Sequence, residues 1–212
     1  MAVLSWLIPL GLTLAIALSR EDLRPRMFWA GILALPVFVL PLLLFAELYS
    51  TEQFGWSTLL AAMLTSFSFG ALAAAAYEVF LGKVLALHYR SRRSLIWLLA
   101  GPLAVVVALL AEQSLIVAVI IGLIVDLLIV IITQADLIWD VIFSGLAMGL
   151  LYSFLYLVNF RGLSGEPFFW FGSELSGLTV NGLPLEELVL IVLFGALWGP
   201  IYVAVKDHRT AP

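Results

Sequence analysis

The sequence contains no cysteine and few charged residues, and each deficit excludes a class of protein or site. Without cysteine, the chain can form no disulfide, no thiolate nucleophile and no cysteine-ligated metal site. Charged residues make up 11% of the chain, whereas soluble domains contain about 25%. The net charge of −4 is distributed along the chain, so we expect no nucleic-acid partner.

Apolar residues are abundant and account for 64% of the sequence. The core of one small domain cannot bury that much apolar surface, whereas the hydrocarbon of a bilayer can solvate it. An α-helix needs about 20 apolar residues to cross a hydrocarbon layer of about 30 Å. The sequence therefore predicts an all-α integral membrane protein with about seven transmembrane helices, at residues 2–19, 27–46, 58–81, 94–111, 115–133, 140–160 and 184–205.

The basic residues predict the orientation of these helices. With seven alternating spans, all but one of the ten lysines and arginines fall on one side of the membrane, and the exception is Arg161. Arg20, Arg24 and Arg26 are assigned to the first loop on the basic side. Loops rich in Lys and Arg are cytoplasmic. We therefore predict a multi-pass protein of the cell (inner) membrane, with its N-terminus outside and its C-terminus in the cytoplasm.

Two parts of the sequence resemble each other. Phe-Gly-Ala-Leu occurs at 69–72 and at 194–197, and each copy is followed at the same distance by a tyrosine, Tyr77 or Tyr202. Upstream, an Asp-Leu pair and a later glycine also match at equal internal spacing: Asp22, Leu23 and Gly31 with Asp136, Leu137 and Gly145.

These matches predict an internal duplication. Residues 1–82 and 115–212 would each be a three-helix repeat, joined at 83–114 by a basic cytoplasmic loop and a linker helix. Because four spans separate corresponding helices, both repeats would have the same orientation in the membrane, which makes them parallel repeats. An alternative explanation is that glycine and alanine serve close helix packing in both places.

Few ionisable or strongly polar side chains lie in or near the predicted spans, where such groups usually face protein or water. They are Glu78, Asp126, Asn159, Arg161, Glu186 and Glu187. Asp126 lies midway along its span, within reach of a pocket below the two adjacent glutamates. Glu78 is about 20 Å or more from Glu187 and cannot share its site. No metal-ligand spacing accompanies these residues, so no metal is expected.

One face of the seventh predicted helix combines a carboxyl group with aromatic rings. Helical spacing places on it Glu187, Ile191, Phe194, Trp198 and Tyr202. Two adjacent carboxyl groups in a low dielectric repel each other, which keeps a proton on one of them. That acid could protonate an apolar alkene, and the ring faces could stabilise the resulting carbocation. The predicted catalytic residues are Glu186, Glu187 and Asp126, and the predicted substrate-binding residues are Asn159, Phe194, Trp198 and Tyr202.

A structural interpretation of the same residues stays open. Pro184 followed by glutamates in the first turn favours helix initiation, because carboxylates complement the positive end of the helix dipole. Arg161 could pair with Glu186, and Glu78 could pair with Lys83. The aromatic stripe could serve packing alone.

Residues 181–187, with the sequence Asn-Gly-Leu-Pro-Leu-Glu-Glu, resemble the P-x-E-E signature of the carotenoid cyclase domain. That domain occurs in heterodimeric-type bacterial lycopene cyclases and in fungal fusions of phytoene synthase with lycopene cyclase. The three-helix repeat is also similar to that family. The resemblance implies redox-neutral cyclisation of lycopene ends without a cofactor, with Glu186 and Glu187 as the acid pair. Its substrate would be a lipophilic polyene or isoprenoid drawn from the bilayer. The first repeat departs from the motif, with Ala61 and Ala62 at the positions of the pair.

Two other functions stay open. The loss of the acid motif from the first repeat favours a non-catalytic subunit that binds a carotenoid or membrane lipid within a homo- or hetero-oligomer. A small transporter is also compatible, with Asp126 and the two glutamates as a proton or cation relay.

Overall fold

The computed structural model describes residues 2–44, 56–81, 85–86, 99–159, 176–206 and 209–210. Helices account for most of this part of the chain, which confirms the predicted all-α class and the seven helices. They are α1 (Ala2–Ser19), α2 (Arg24–Leu44), α3 (Trp56–Leu81), α4 (Ala100–Leu110), α5 (Leu115–Thr133), α6 (Ile138–Asn159) and α7 (Leu185–Lys206).

The observed helices differ from the predicted spans chiefly at their ends. Both α2 and α6 begin earlier than predicted, and each directly follows a one-turn 3-10 helix, Glu21–Leu23 or Ala135–Leu137. At α2 the missed turn contains Arg24 and Arg26, which lower its hydropathy, whereas at α6 the two missed residues, Ile138 and Trp139, are apolar. α4 is the shortest of the helices, and residues 94–98 of its predicted span lie outside the described residues.

Three helices are long and apolar enough to cross a membrane, as judged by length and composition within the described residues. The qualifying segments are Ala62–Phe80, Leu115–Thr133 and Ile138–Val158. Large apolar side chains also cover the outer surface of the other helices, as shown by the exposed fractions of Leu18 (74%) and Leu110 (80%). Soluble monomers rarely expose continuous apolar surface on this scale.

Helices α3 and α7 form the centre of the bundle. α3 contacts α1, α2, α6 and α7, and α7 contacts α2, α3, α5 and α6, whereas α4 packs mainly on α5. The central stretch of α3 contains four consecutive buried alanines, Ala73 to Ala76. Their small side chains let the neighbouring helices approach closely. The core between these helices is filled by large apolar and aromatic residues, including Phe69, Tyr152, Ile191 and Phe194.

Two short antiparallel strand pairs connect helix ends. β1 (Leu85–Ala86) follows α3 and pairs with β4 (Arg209–Thr210), which follows α7. The segments that leave α3 and α7 therefore lie at the same end of the molecule. β2 (Thr179–Val180) pairs with β3 (Leu183–Pro184) in a hairpin that leads directly into α7.

The first group of three helices is α1 to α3, and the last group is α5 to α7. Within each group, the first two helices are joined in the same way. Between α1 and α2, the Arg20 N–H donates to the Ile16 carbonyl at 2.8 Å. Between α5 and α6, the Gln134 N–H donates to the Val130 carbonyl, also at 2.8 Å. In each case the 3-10 helix follows immediately and leads into the next α-helix.

Close helix packing also matches between the two groups. A Cβ atom placed on Gly70 of α3 would lie 2.5 Å from the Cβ of Ala34 on α2. A Cβ atom on Gly195 of α7 would lie 2.5 Å from the Cβ of Met148 on α6. Both glycines belong to the Phe-Gly-Ala-Leu matches, and both partners lie at matching distances from the Asp-Leu pairs. Only glycine permits these approaches without displacing the neighbouring helix.

Arg26 requires a correction. The sequence predicts it in a cytoplasmic loop, whereas the structure places it within the first turn of α2 with only 1% of its surface exposed. The buried guanidinium is stabilised by an ion pair with Glu78 of α3 and by a hydrogen bond to the Gly199 carbonyl of α7. These partners are distant in sequence and therefore invisible to a hydropathy profile.

Candidate functional site

The hairpin before α7 fixes the position of the two glutamates. Its turn residues, Asn181 and Gly182, have left-handed backbones with φ of 55° and 87°. Asn-Gly is the sequence favoured in such two-residue hairpin turns, because these residues tolerate positive φ. The Leu185 N–H then donates to the Leu178 carbonyl at 3.0 Å, which ties the start of α7 to the hairpin.

The adjacent glutamates lie in different surroundings. The Ser176 N–H donates to Oε1 of Glu186 at 2.8 Å, so this carboxylate holds the segment that enters the hairpin. Glu187 follows about 100° further around the helix and is only 2% exposed. The structure thus places Glu187 inside the bundle and directs Glu186 towards the hairpin.

Glu187 receives a hydrogen bond from Tyr152 of α6. The phenolic hydroxyl of Tyr152 donates to Oε2 of Glu187 at 2.9 Å, and Tyr152 is 1% exposed. The Tyr152 ring also contacts the Phe69 ring of α3, with centroids 6.1 Å apart. The carboxyl group therefore lies where α3, α6 and α7 meet.

The two tyrosines of α6 were not identified from the sequence. Tyr152 and Tyr156 are one turn apart on the same face of α6, and their ring centroids are 6.5 Å apart. The Tyr156 hydroxyl donates to the Gly182 carbonyl in the hairpin turn at 2.6 Å. Their spacing and their hydroxyl groups in a mostly apolar helix are a signal that they face partners rather than hydrocarbon.

The described part of the predicted stripe on α7, from Ile191 to Trp198, faces the interior. Ile191 and Phe194 are fully buried, and Phe194 stacks on Trp198 with centroids 4.9 Å apart and planes 17° from parallel. The Trp198 Nε1–H donates to the Ala30 carbonyl of α2 at 2.9 Å. These contacts put aromatic faces below Glu187 on the same helix.

The other predicted substrate-binding residues lie at the edge of what the structure describes. Asn159 ends α6 and Tyr202 lies within α7, but their side chains are outside the described part. Arg161 is outside the described residues altogether. Their predicted roles stay predictions.

Asp126 contacts α4. Its Oδ1 accepts a hydrogen bond from the Gly101 N–H at 2.7 Å, and the carboxyl group is buried against Gly101. Gly101 lies in the first turn of α4, where the N-cap residue Leu99 makes no side-chain hydrogen bond. Asp126 therefore caps α4 from a neighbouring helix and satisfies a backbone donor that would otherwise lack a partner. Within the described part, its hydrogen bond is to α4 and not to either glutamate.

Glu78 lies in a different cluster, as the sequence predicted. It is 1% exposed and forms its ion pair with Arg26. Lys83, its suggested partner, is outside the described residues. The structure thus places Glu187 against Tyr152, whereas Asp126 and Glu78 make their contacts with other residues, Gly101 and Arg26. Phe194 and Trp198 lie further along the same helix as Glu187.

The site contains one buried carboxyl group, that of Glu187, next to a phenol hydroxyl. A buried carboxyl group with a phenol donor on one oxygen is positioned for general acid chemistry, and the bond from Tyr152 would also stabilise the carboxylate left after proton transfer. Among the residues that the structure describes, no group of three or more His, Cys, Asp or Glu side chains could hold a metal ion.

Comparison of the chain with protein-family models, with curated proteins and with solved structures found no match.

Proposed function

We propose that the protein is a multi-pass membrane enzyme that cyclises a carotenoid or another isoprenoid by proton-initiated, redox-neutral ring closure. The observation that supports this proposal is the position of Glu187, which is buried inside the bundle and hydrogen-bonded to Tyr152. A carboxyl group that served only to start α7 would gain the same helix-dipole stabilisation while exposed to solvent.

The membrane assignment is supported by the three sufficiently long apolar helices and by the apolar outer surface. We further propose that the chain spans the cell (inner) membrane seven times, with its N-terminus outside and its C-terminus in the cytoplasm. Matching glycine contacts and matching 3-10 helices support two parallel repeats, 1–82 and 115–212, with α4 in the linker. The pairing of β1 with β4 supports the placement of the segments after α3 and α7 on one side.

In the proposed reaction, the Glu187 carboxyl group donates its proton to a terminal carbon–carbon double bond. The resulting tertiary carbocation is attacked by a second double bond of the same substrate, which closes the ring and moves the charge into it. The ring cation then loses a proton to the Glu187 carboxylate, which restores the acid. No electrons are gained or lost, so no redox cofactor is required.

The surrounding residues have separate roles in this proposal. Tyr152 orients the Glu187 carboxyl group, and the faces of Phe194 and Trp198 would stabilise the cation. Glu186 is assigned to the hairpin because its carboxylate accepts the Ser176 N–H. The family resemblance implies that both glutamates act as acids. In this proposal Glu187 is the single acid, and Glu186 has a structural role.

The proposal is tested by expressing the chain in a lycopene-accumulating bacterium and identifying the pigments by chromatography. The wild type should yield cyclised product, and Glu187→Gln should abolish it because the amide cannot donate the required proton. Glu112→Gln, at an exposed turn far from the site in sequence, controls for expression. Glu186→Gln distinguishes a single catalytic acid from a catalytic pair, because this variant should lose activity only if both glutamates take part. Absence of cyclised product from a well-expressed wild type would refute the proposed cyclase activity.

A second candidate is a non-catalytic subunit that binds a carotenoid or lipid. The complete burial of Phe194 and its stacking on Trp198 favour this alternative, because these rings already have packing partners. Pigment that co-purifies with both the wild type and Glu187→Gln, without turnover in either, would support it.

A further inference from the structure

A buried charged cluster lies apart from the Glu187 site. Arg26 of α2 and Glu78 of α3 are each 1% exposed and form an ion pair through Nη1 and Oε1. The Nη2 of the same guanidinium donates to the Gly199 carbonyl of α7 at 2.6 Å. A single arginine therefore joins the central helices α3 and α7 to α2.

In the last group of helices, α6 and α7 form the pair that matches α2 and α3, but the residues of this cluster are not repeated there. The positions that match Arg26 and Glu78 hold Asp140 on α6 and Val203 on α7. The two helix pairs nevertheless approach equally closely at their glycines. A Cβ atom placed on Gly195 or on Gly70 would lie 2.5 Å from a Cβ of the neighbouring helix in both cases. The ion pair is thus not needed to pack a helix pair of this type.

The ion pair is also an inefficient way to gain stability. Arg26 Nε and Glu78 Oε2 are buried and have no hydrogen-bond partner within the described part of the chain. Removing charges from water costs several kcal/mol per ion, and the cost is recovered only when the remaining donors and acceptors are satisfied. Asp140 brings a second carboxylate close enough to interact electrostatically with Glu78. This nearby negative charge further reduces the net stability that the ion pair contributes.

The helix that Arg26 holds is weakened at the point of contact. Pro200 lies inside α7 and has no N–H, so the Ala196 carbonyl loses its usual helical partner. Gly199 has no side chain, and Ser144 of α6 packs directly against it. A proline directly after a glycine allows a helix to bend.

We propose that Arg26 and Glu78 form a lock that holds residues 200–206 of α7 against α2 and α3. Release of the Gly199 carbonyl lets this segment pivot at Gly199 and Pro200, while the part of α7 before Gly199 stays packed. The lock is independent of the proposed cyclase activity, because it lies in a different cluster and requires no substrate.

The absence of cysteine provides a direct test, since an introduced thiol is the only one in the protein. Ile201 follows Pro200 and is 3% exposed, whereas Leu197 precedes Gly199 and is 2% exposed. In purified protein, the labelling rate of Ile201→Cys by a small maleimide should rise at least about tenfold when Glu78→Gln is added, equivalent to about 1.4 kcal/mol of easier opening. The labelling rate of the matched control, Leu197→Cys, should not change.

The two probes distinguish a lock from general destabilisation. Equal acceleration at both positions, or none at position 201, would overturn the proposal. Arg26→Met combined with Glu78→Leu removes both charges without leaving one unpaired, so it remains informative if Glu78→Gln fails to fold. This double variant should keep the thermal midpoint near the wild-type value and still accelerate labelling at position 201. Wild-type protection of position 201 in the double variant would show that the charges have no locking role.

Discussion

At the residue scale, the environment of each acid is set by partners that are distant in sequence. Glu186 and Glu187 are neighbours in the chain, yet one binds the hairpin and the other binds Tyr152. Asp126 lies in a strongly apolar helix, and its partner is the backbone of α4. Each buried carboxylate described here thus has a contact that can be tested by removing one side of it.

Tyr152→Phe should destabilise the protein because it removes the hydroxyl donor to Glu187 and leaves the ring packing in place. A buried acceptor that loses its partner costs about 1–3 kcal/mol. Thermal unfolding in detergent measures the effect, and adding Glu187→Leu, which has no acceptor for the Tyr152 hydroxyl, tests whether the two changes are coupled. Tyr156→Phe, which removes a bond to an exposed turn, should cost less. Additive losses for Tyr152→Phe and Glu187→Leu would show that the bond contributes nothing.

Asp126→Ala should lower stability by about 1 kcal/mol, the usual cost of losing an N-cap, because the Gly101 N–H loses its acceptor. Asp126→Asn keeps an oxygen acceptor and should cost less. Thermal unfolding of the two variants gives the comparison. If Asp126 were instead an acid in catalysis or a proton relay, Asp126→Asn would abolish activity while leaving stability almost unchanged.

At the element scale, the sequence predicted most of the helices and few of their contacts. Long apolar stretches determine where helices occur, so α1, α5 and α7 lie close to their predicted spans. The contacts depend on pairs such as Arg26 with Glu78, 52 residues apart, and Tyr152 with Glu187, 35 residues apart. Periodicity showed that Glu187 and Phe194 share a face, but it could not show which helix that face would meet.

The close contacts between neighbouring helices at Gly70 and Gly195 lead to another prediction. Gly195→Ala would place a Cβ atom 2.5 Å from the Met148 Cβ, and Gly70→Ala would do the same against Ala34. Overpacking of this kind costs about 1–3 kcal/mol. Gly11→Ala in α1 is the control: a Cβ there has no neighbour within 4 Å, and alanine favours a helix by about 1 kcal/mol over glycine. Thermal midpoints should fall for positions 70 and 195 and should not fall for position 11.

At the scale of the whole molecule, the matching features support the proposed internal duplication. The 3-10 helices, the glycine contacts and the central positions of α3 and α7 agree between the two groups. The buried polar pairs do not agree: the Tyr152–Glu187 pair belongs to the second group, and the Arg26–Glu78 pair belongs to the first. The proposed duplication is compatible with both observations, because the matching packing contacts and the differing polar pairs are made by different residues.

The predicted topology can be tested with single cysteines in the naturally cysteine-free chain. Glu21 precedes α2 and Gln113 precedes α5, and both side chains are exposed. With the N-terminus outside, Gln113→Cys should react with a membrane-impermeant maleimide in intact cells, whereas Glu21→Cys should react only after lysis. The physical reason is that one span separates Glu21 from the N-terminus and four separate Gln113 from it. The opposite labelling pattern would show that the predicted orientation is inverted. Reaction of both positions in intact cells would show that the predicted number of spans between them is wrong.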